Sequence, residues 1–275
     1  MEGNRQFKDS VFTWLMADKA RIIELYNALE GTNYDMDTNV EILTLENVLF
    51  LGRYNDLCFM IDGKFVILVE HQSSINQNMP LRALLYLARA YEKILQNVSV
   101  YKEKLLKIPT PEFFVFYNGT KPYPVEAELK LSDAFIEATD TLELTVKVIN
   151  INYHEGSKLL EQSPTLKSYS YFVDCVRQFR NQGHSLTEAL ESSVKKCVKE
   201  GILSDFLKNH SSEVFNMLFE EFNLEDALRI KAEEAKEEGK EEEKTMIARN
   251  MKSLNLPISI IVQSTGLPES IIAKL

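Results

Sequence analysis

Cysteine is scarce in this chain: Cys58, Cys175 and Cys197 are the three found in 275 residues. An odd, widely spaced set builds neither a disulfide framework nor a zinc site, so each reads as a small buried side chain. Long apolar runs are missing as well. No stretch approaches the roughly 20 residues that a membrane-spanning helix needs, and Met1-Glu2-Gly3-Asn4-Arg5 opens no secretory signal. A cytoplasmic protein with no membrane partner is expected. There is no glycine-rich phosphate loop, no Gly-x-Ser-x-Gly elbow and no His-Glu-x-x-His pair, so nucleoside-triphosphate, serine-hydrolase and zinc-protease chemistry lack support. Positive charge is also in deficit, with a net of −10. Position matters more than the sum. Residues 220–244 hold 11 acids and 5 bases, a net of −6. Residues 245–275 carry 3 bases and 1 acid, and the first 219 residues hold the remaining −6. A nucleic-acid partner would need a local basic patch.

What is present centres on residues 55–74. Two short runs rich in β-branched and aromatic residues, Asp56 to Ile61 and Lys64 to Val69, flank Asp62-Gly63, a pair that favours tight hairpin turns. Phe65 to Val69 is apolar at every position, so its strand should be covered on both faces, as at the centre of an α/β sheet. Asp56 opens the first strand and Glu70 closes the second, at one end of the pair. A two-residue turn makes Ile61 face Lys64 and Asp56 face Val69, which sends Asp56 and Glu70 to opposite faces. A three-residue turn with Gly63 in a bulge puts Asp56 on the face of Leu68, Glu70 and Gln72. A metal shared by the two carboxylates therefore predicts the three-residue turn, or a bulge near Asp56.

Around the hairpin, helical spacing runs through residues 6–30, with a break near Asp18 and a stop at Gly31. Val40 to Thr44 reads as a first strand. Pro80 suits the first turn of a helix from Leu81 to about Leu95. Glu112 to Tyr117 reads as a third buried strand ending at the turn Asn118-Gly119, and Leu142 to Ile151 as a fourth. Helical patterns follow over 166–180, 185–199, 202–207 and 213–218. Residues 224–254 read as one long charged helix with i,i+4 pairs of opposite sign, a connector or coiled-coil arm. Two short helices, 257–263 and 268–275, flank Ser264-Thr265-Gly266-Leu267. The fold class is α/β, and the division is a core over 1–155, a helical subdomain over 156–223, the arm, and a helix-turn-helix-like tail over 255–275. That tail has Lys274 as its only cation beyond residue 254, so packing or oligomerisation fits it better than groove binding.

Asp56, Glu70 and Gln72 carry the chemistry. Two carboxylates converging at a sheet rim suit a hard divalent ion such as Mg²⁺, with Mn²⁺ or Ca²⁺ as substitutes. Such an ion polarises a phosphodiester oxygen and supplies hydroxide at neutral pH. His71 alternates with Glu70 and Gln72, so its side chain reads as structural, while its backbone carbonyl is a third candidate metal donor. Arg82, one turn into the following helix, is placed to hold a phosphate or to sit solvated on the helix face.

Asn55-Asp56, the hairpin, Val69-Glu70-His71-Gln72-Ser73-Ser74 and Asn76-Gln77-Asn78-Met79-Pro80-Leu81-Arg82 together resemble the recombination-promoting nuclease and putative transposase family of the PD-(D/E)XK superfamily. Phe7-Lys8-Asp9, Phe113 to Gly119, Leu131 to Phe135, Asn150-Ile151-Asn152 and Thr265-Gly266-Leu267 extend the similarity over most of the chain. The resemblance implies a restriction-endonuclease-like core with a mixed central sheet flanked by helices, followed by a helical C-terminal extension. It implies metal-dependent cleavage of DNA, in recombination, mobile elements or phage defence. Asp56 and Glu70 would hold the metal, and Gln72 would stand in the place of the superfamily lysine. A neutral amide orients water but supplies no charge, so Arg82 is the candidate cation. Asp9 is the candidate acid on the first helix. The competing expectation is a catalytically silent DNA-binding or regulatory protein. In either case a homo-oligomer through the C-terminal helices is expected.

Overall fold

A computed structural model describes residues 10–43, 56–71, 76–137, 139 and 141–275. Of Asp56, Val69, Glu70 and His71 it describes the backbone alone. The first helices are set by their caps. Ser10 and Thr13 form a reciprocal capping box at the start of α1 (Val11–Met16), and the Asp18 side chain accepts from Arg21 N to start α2 (Lys19–Glu30). Gly31, at φ 65°, closes α2 in the left-handed region that an L side chain resists. The break expected near Asp18 is therefore a new helix start.

Six strands form one mixed sheet in the order β1-β2-β3-β4-β6-β5: β1 (Val40–Leu43), β2 (Asp56–Ile61), β3 (Lys64–His71), β4 (Thr110–Tyr117), β5 (Glu126–Lys130) and β6 (Thr145–Asn150). β1, β2 and β3 pair antiparallel, while β3, β4 and β6 run parallel and β5 is antiparallel on the edge. The parallel step from β3 to β4 needs a crossover, which α3 (Met79–Ile94) provides, with Pro80 in its first turn where no N–H partner is lost.

The sheet is covered on both faces. On one, which we call the α5 face, Leu57, Phe59, Ile61, Val66, Leu68, Phe114 and Phe116 pack with α1, α2, α4 (Lys158–Gln162), α5 (Pro164–Asn181), α6 (Leu186–Glu200) and the start of α7 (Ser204–Ser253). On the other, the α3 face, Cys58, Phe65, Ile67, Phe113, Val115, Tyr117, Val146 and Val148 pack under Met79, Ala83, Tyr86 and Ala90 of α3. β3 thus buries Phe65 and Ile67 on one side and Val66 and Leu68 on the other. That is why its sequence is apolar without alternation, each such side chain contributing about 1.5–3 kcal/mol.

Three expectations are revised. Glu126–Lys130 is a strand, and Leu131–Ala134 a single 3-10 turn, where no element was read. The fourth strand read from Leu142 begins at Thr145. The separate patterns at 202–207, 213–218 and 224–254 are one helix, α7, interrupted at His210 by a non-helical backbone (φ −134°, ψ 21°). His210 rests against Trp14, with ring centroids 4.3 Å apart, and against Phe206 at 5.5 Å.

The chain divides into two compact units, residues 1–222 and 223–275. In the first, the helices after residue 156 share one apolar core with the strands. In the second, the end of α7 packs with α8 (Ile258–Thr265) and α9 (Glu269–Ile272) around Ala248, Ile261, Leu267 and Ile272. Lys252 Nζ donates to the carbonyls of Ile272 and Ala273, each at 3.0 Å, satisfying the end of α9. No described helix is long and apolar enough to cross a membrane.

Candidate functional site

The β2–β3 turn decides where the site residues fall. Asp62 (φ 43°) and Gly63 (φ 73°) are both left-handed, the backbone of a two-residue hairpin turn whose twist matches that of the strands it joins. Ile61 pairs with Lys64, Leu57 with Leu68 and Asp56 with Val69. The three-residue turn that would have put Asp56 on Glu70's face is therefore not the one formed. By alternation from Cys58, Asp56 takes a position on the α3 face. Glu70, two residues beyond Leu68, takes one on the α5 face. The two residues remain adjacent across the strand pair, since Glu70 follows Asp56's own partner Val69. Asp56 itself pairs with Val69 in the same unbroken register, so no bulge within β2 carries it to Glu70's face, and a shared ion would have to sit around the end of the strand pair. Gln72 and Asp9 lie outside the described residues, as do residues 44–55.

Glu70 and His71 occupy the C-terminal end of β3, paired in parallel with Phe116 and Tyr117 of β4. In open α/β sheets the carboxyl ends of parallel strands form the crevice where ligands bind. Among the described residues no three of His, Cys, Asp and Glu gather into a metal-binding group. The residue positions at this strand end are Glu70, His71 with its backbone carbonyl and, across the strand pair, Asp56; carboxylate and carbonyl oxygens are what these residue types offer a metal. They are hard oxygen donors, and in type they fit Mg²⁺.

Arg82 does not point to a phosphate site. Its Nε and Nη2 donate to the Tyr86 hydroxyl (3.2 and 2.7 Å), its Nη1 lies 3.3 Å from Met79 Sδ, and the guanidinium sits 5.5 Å from the Tyr86 ring centroid. Its helix covers the α3 face, whereas Glu70's position is on the α5 face.

A second polar group at this end of the sheet escaped the sequence reading. Asn118, directly after β4 and 1 % exposed, accepts at Oδ1 from Arg177 Nη1 (3.0 Å), and its carbonyl accepts from Arg177 Nη2. Arg177 Nη1 also donates to Asn152 Oδ1 at 2.8 Å. Asn152 Nδ2 in turn donates to Gly119 O and to Asn150 Oδ1, each at 2.9 Å, and Asn150 Nδ2 donates to Tyr123 O at 3.0 Å. One arginine from α5 thus ties the ends of β4 and β6 together. Asn118-Gly119 had read as a turn and Asn150-Ile151-Asn152 as part of a resemblance. Nothing in the period of α5 marks Arg177 apart from its neighbours.

A mixed sheet between two helical layers, followed by a helical C-terminal region, is the layout of a restriction-endonuclease-like fold. Residues 53–161 match the family model described as putative transposase, YhgA-like, so the resemblance seen in the residues holds over that segment. The matched segment takes in Asp56, Glu70, Gln72, Arg82, Asn118 and Asn152. No curated protein and no solved structure matches the chain.

Proposed function

We propose that the protein is a metal-dependent DNA endonuclease acting in recombination, mobile elements or phage defence. The observation that carries this reading is the match of residues 53–161 to a transposase family across the hairpin that brings Asp56, Glu70 and His71 to one sheet end. In this proposal Glu70 and the His71 carbonyl hold Mg²⁺, and Asp56, the first residue of β2, reaches the same ion around the end of the strand pair. The ion supplies Lewis acidity toward the phosphodiester. Gln72 orients the attacking water, and Asp9 is a supporting acid. Arg82, engaged with Tyr86, shapes the start of α3 rather than supplying the cation.

A run of exposed cations supports a DNA partner despite the acidic total. Residues 79–109 contain six cations and two acids, and Arg89, Lys93, Lys102, Lys104 and Lys107 are all exposed. Backbone phosphates would meet them on the side of α3 and its loop.

One observation favours a second reading. The regular register of β2 runs through Asp56 and sets its position on the face opposite Glu70's, which supports a chain that shares no ion and is a catalytically silent DNA-binding or regulatory protein. Incubation of supercoiled plasmid with the full chain in Mg²⁺ separates the two. The nuclease reading expects nicking that chelation stops and that Asp56→Ala and Glu70→Gln each reduce by at least about 100-fold. Equal activity in all three proteins, or none in any with Mg²⁺, Mn²⁺ or Ca²⁺, contradicts it.

A further inference from the structure

Gln72 leaves the proposed site without the positive charge that a lysine would provide at that position. The charge has a source elsewhere in the fold. The parallel register of β3 and β4 pairs Glu70 with Phe116 and His71 with Tyr117, so Asn118 is the next residue of β4 beyond the last pair. Phe116 belongs to the α5 face, and Asn118, two residues on, meets Arg177 of α5. Arg177 and the position of Glu70 therefore share one face and one end of the sheet, while Arg82 lies with the opposite layer.

Two features of this pair call for an anion. Among the described residues the acceptors of the Arg177 guanidinium are amide and carbonyl oxygens, none of them a carboxylate. A part-buried cation held by neutral partners alone is costly. In addition, Arg177 Nε and Asn118 Nδ2 are both buried donors with no acceptor among the described residues. Two orphaned N–H donors on directly bonded residues, one of them charged, match the oxygens of a phosphate group. The geometry points to Arg177 and Asn118 as a receptor for a phosphate of the DNA backbone, with Arg177 as the cation of the cleavage site. This rests on the nuclease reading above for its substrate, and goes beyond it in assigning the charge to α5.

The discriminating variant is Asn118→Asp in the full chain. It nearly preserves shape and strengthens the hold on Arg177, but it places a negative charge against the guanidinium and fills the receptor. A purely structural clamp would be left as stable or more so and equally active. A phosphate receptor loses cleavage by about tenfold or more while melting no lower. Arg177→Gln and Arg177→Lys extend the comparison, because Lys keeps the charge but not the two-pronged contact. The expected result is plasmid cleavage down about 100-fold for Gln and at least about tenfold better for Lys than for Gln, with Lys167→Gln, an exposed charge on the same helix, unaffected. Binding of a fluorescein-labelled duplex in Ca²⁺ is measured alongside, by anisotropy between about 50 and 200 mM salt. There Arg177→Gln should lower the slope of log affinity against log salt by about 0.9, the effect of one phosphate contact.

If the unaltered protein cleaves and Asn118→Asp cleaves equally, the receptor is overturned and the nuclease reading stands. Equal losses in Arg177→Gln and Arg177→Lys also overturn it, in favour of a clamp. If the unaltered protein cleaves nothing, the nuclease reading falls, and an unchanged salt slope in both Arg177→Gln and Asn118→Asp overturns the receptor as well.

Discussion

Tyr26 shows how one buried hydroxyl ties folding to pH. It is 2 % exposed in α2, and its hydroxyl donates to Glu112 Oε2 at 2.9 Å while Lys64 Nζ meets Glu112 Oε1 at 3.1 Å. Burial first, and then the hydrogen bond and charge of Glu112, push the phenol far above its ordinary value of 10.0. Below that value both folded and unfolded chains keep the proton. As pH rises past it the unfolded tyrosine ionises while the folded one does not, so the unfolded state binds fewer protons and stability falls with pH. Urea midpoints at about pH 8 and about pH 11 should therefore drop further in the unaltered protein than in Tyr26→Phe. An equal drop would show that this tyrosine does not carry the alkaline sensitivity.

At the scale of elements, legibility followed how local each cause is. β3 was readable because burial on both faces leaves an unbroken apolar run, and α3 because Pro80 and its leucine spacing need no tertiary context. Glu126–Lys130 was not readable: its Glu, Ala, Leu and Lys are helix formers, and pairing with β6 at the sheet edge makes it a strand. The turn length was undecided in the sequence, since Asp62-Gly63 serves both a two-residue turn and a bulged one. Only the register settles it, and it puts Asp56's position on the face opposite Glu70's. The place of Arg82 in the fold was hidden for a similar reason. Arg82 is near Glu70 along the chain, but the crossover carries α3 to the other side of the sheet. Arg177, 107 residues beyond Glu70 by the numbering, returns to Glu70's side through α5.

Along the whole molecule, acidic charge is unevenly spread. The acidic excess gathers in residues 220–244, around the boundary between the two units. The second unit leaves Met246, Leu254, Ile260 and Ile271 exposed around a small core. Such apolar surface on so small a unit fits a second copy of the chain as its cover. Removal of residues 224–275 keeps Phe222 and the first unit's core intact. In light scattering after size exclusion, the shortened chain should be of lower order than the full one. The same number of chains per particle in both would refute association through these helices.

The central claim is that Asp56 and Glu70 serve one metal ion at the end of the β2–β3 pair, although the paired strands put their positions on opposite faces. Calorimetric titration of the full chain with Mn²⁺ tests it without dependence on DNA or turnover. The account predicts a binding event that Asp56→Ala and Glu70→Gln each weaken by at least about tenfold, the scale of losing one charged oxygen ligand. Binding that Glu70→Gln abolishes but Asp56→Ala leaves unchanged would show that no shared site forms.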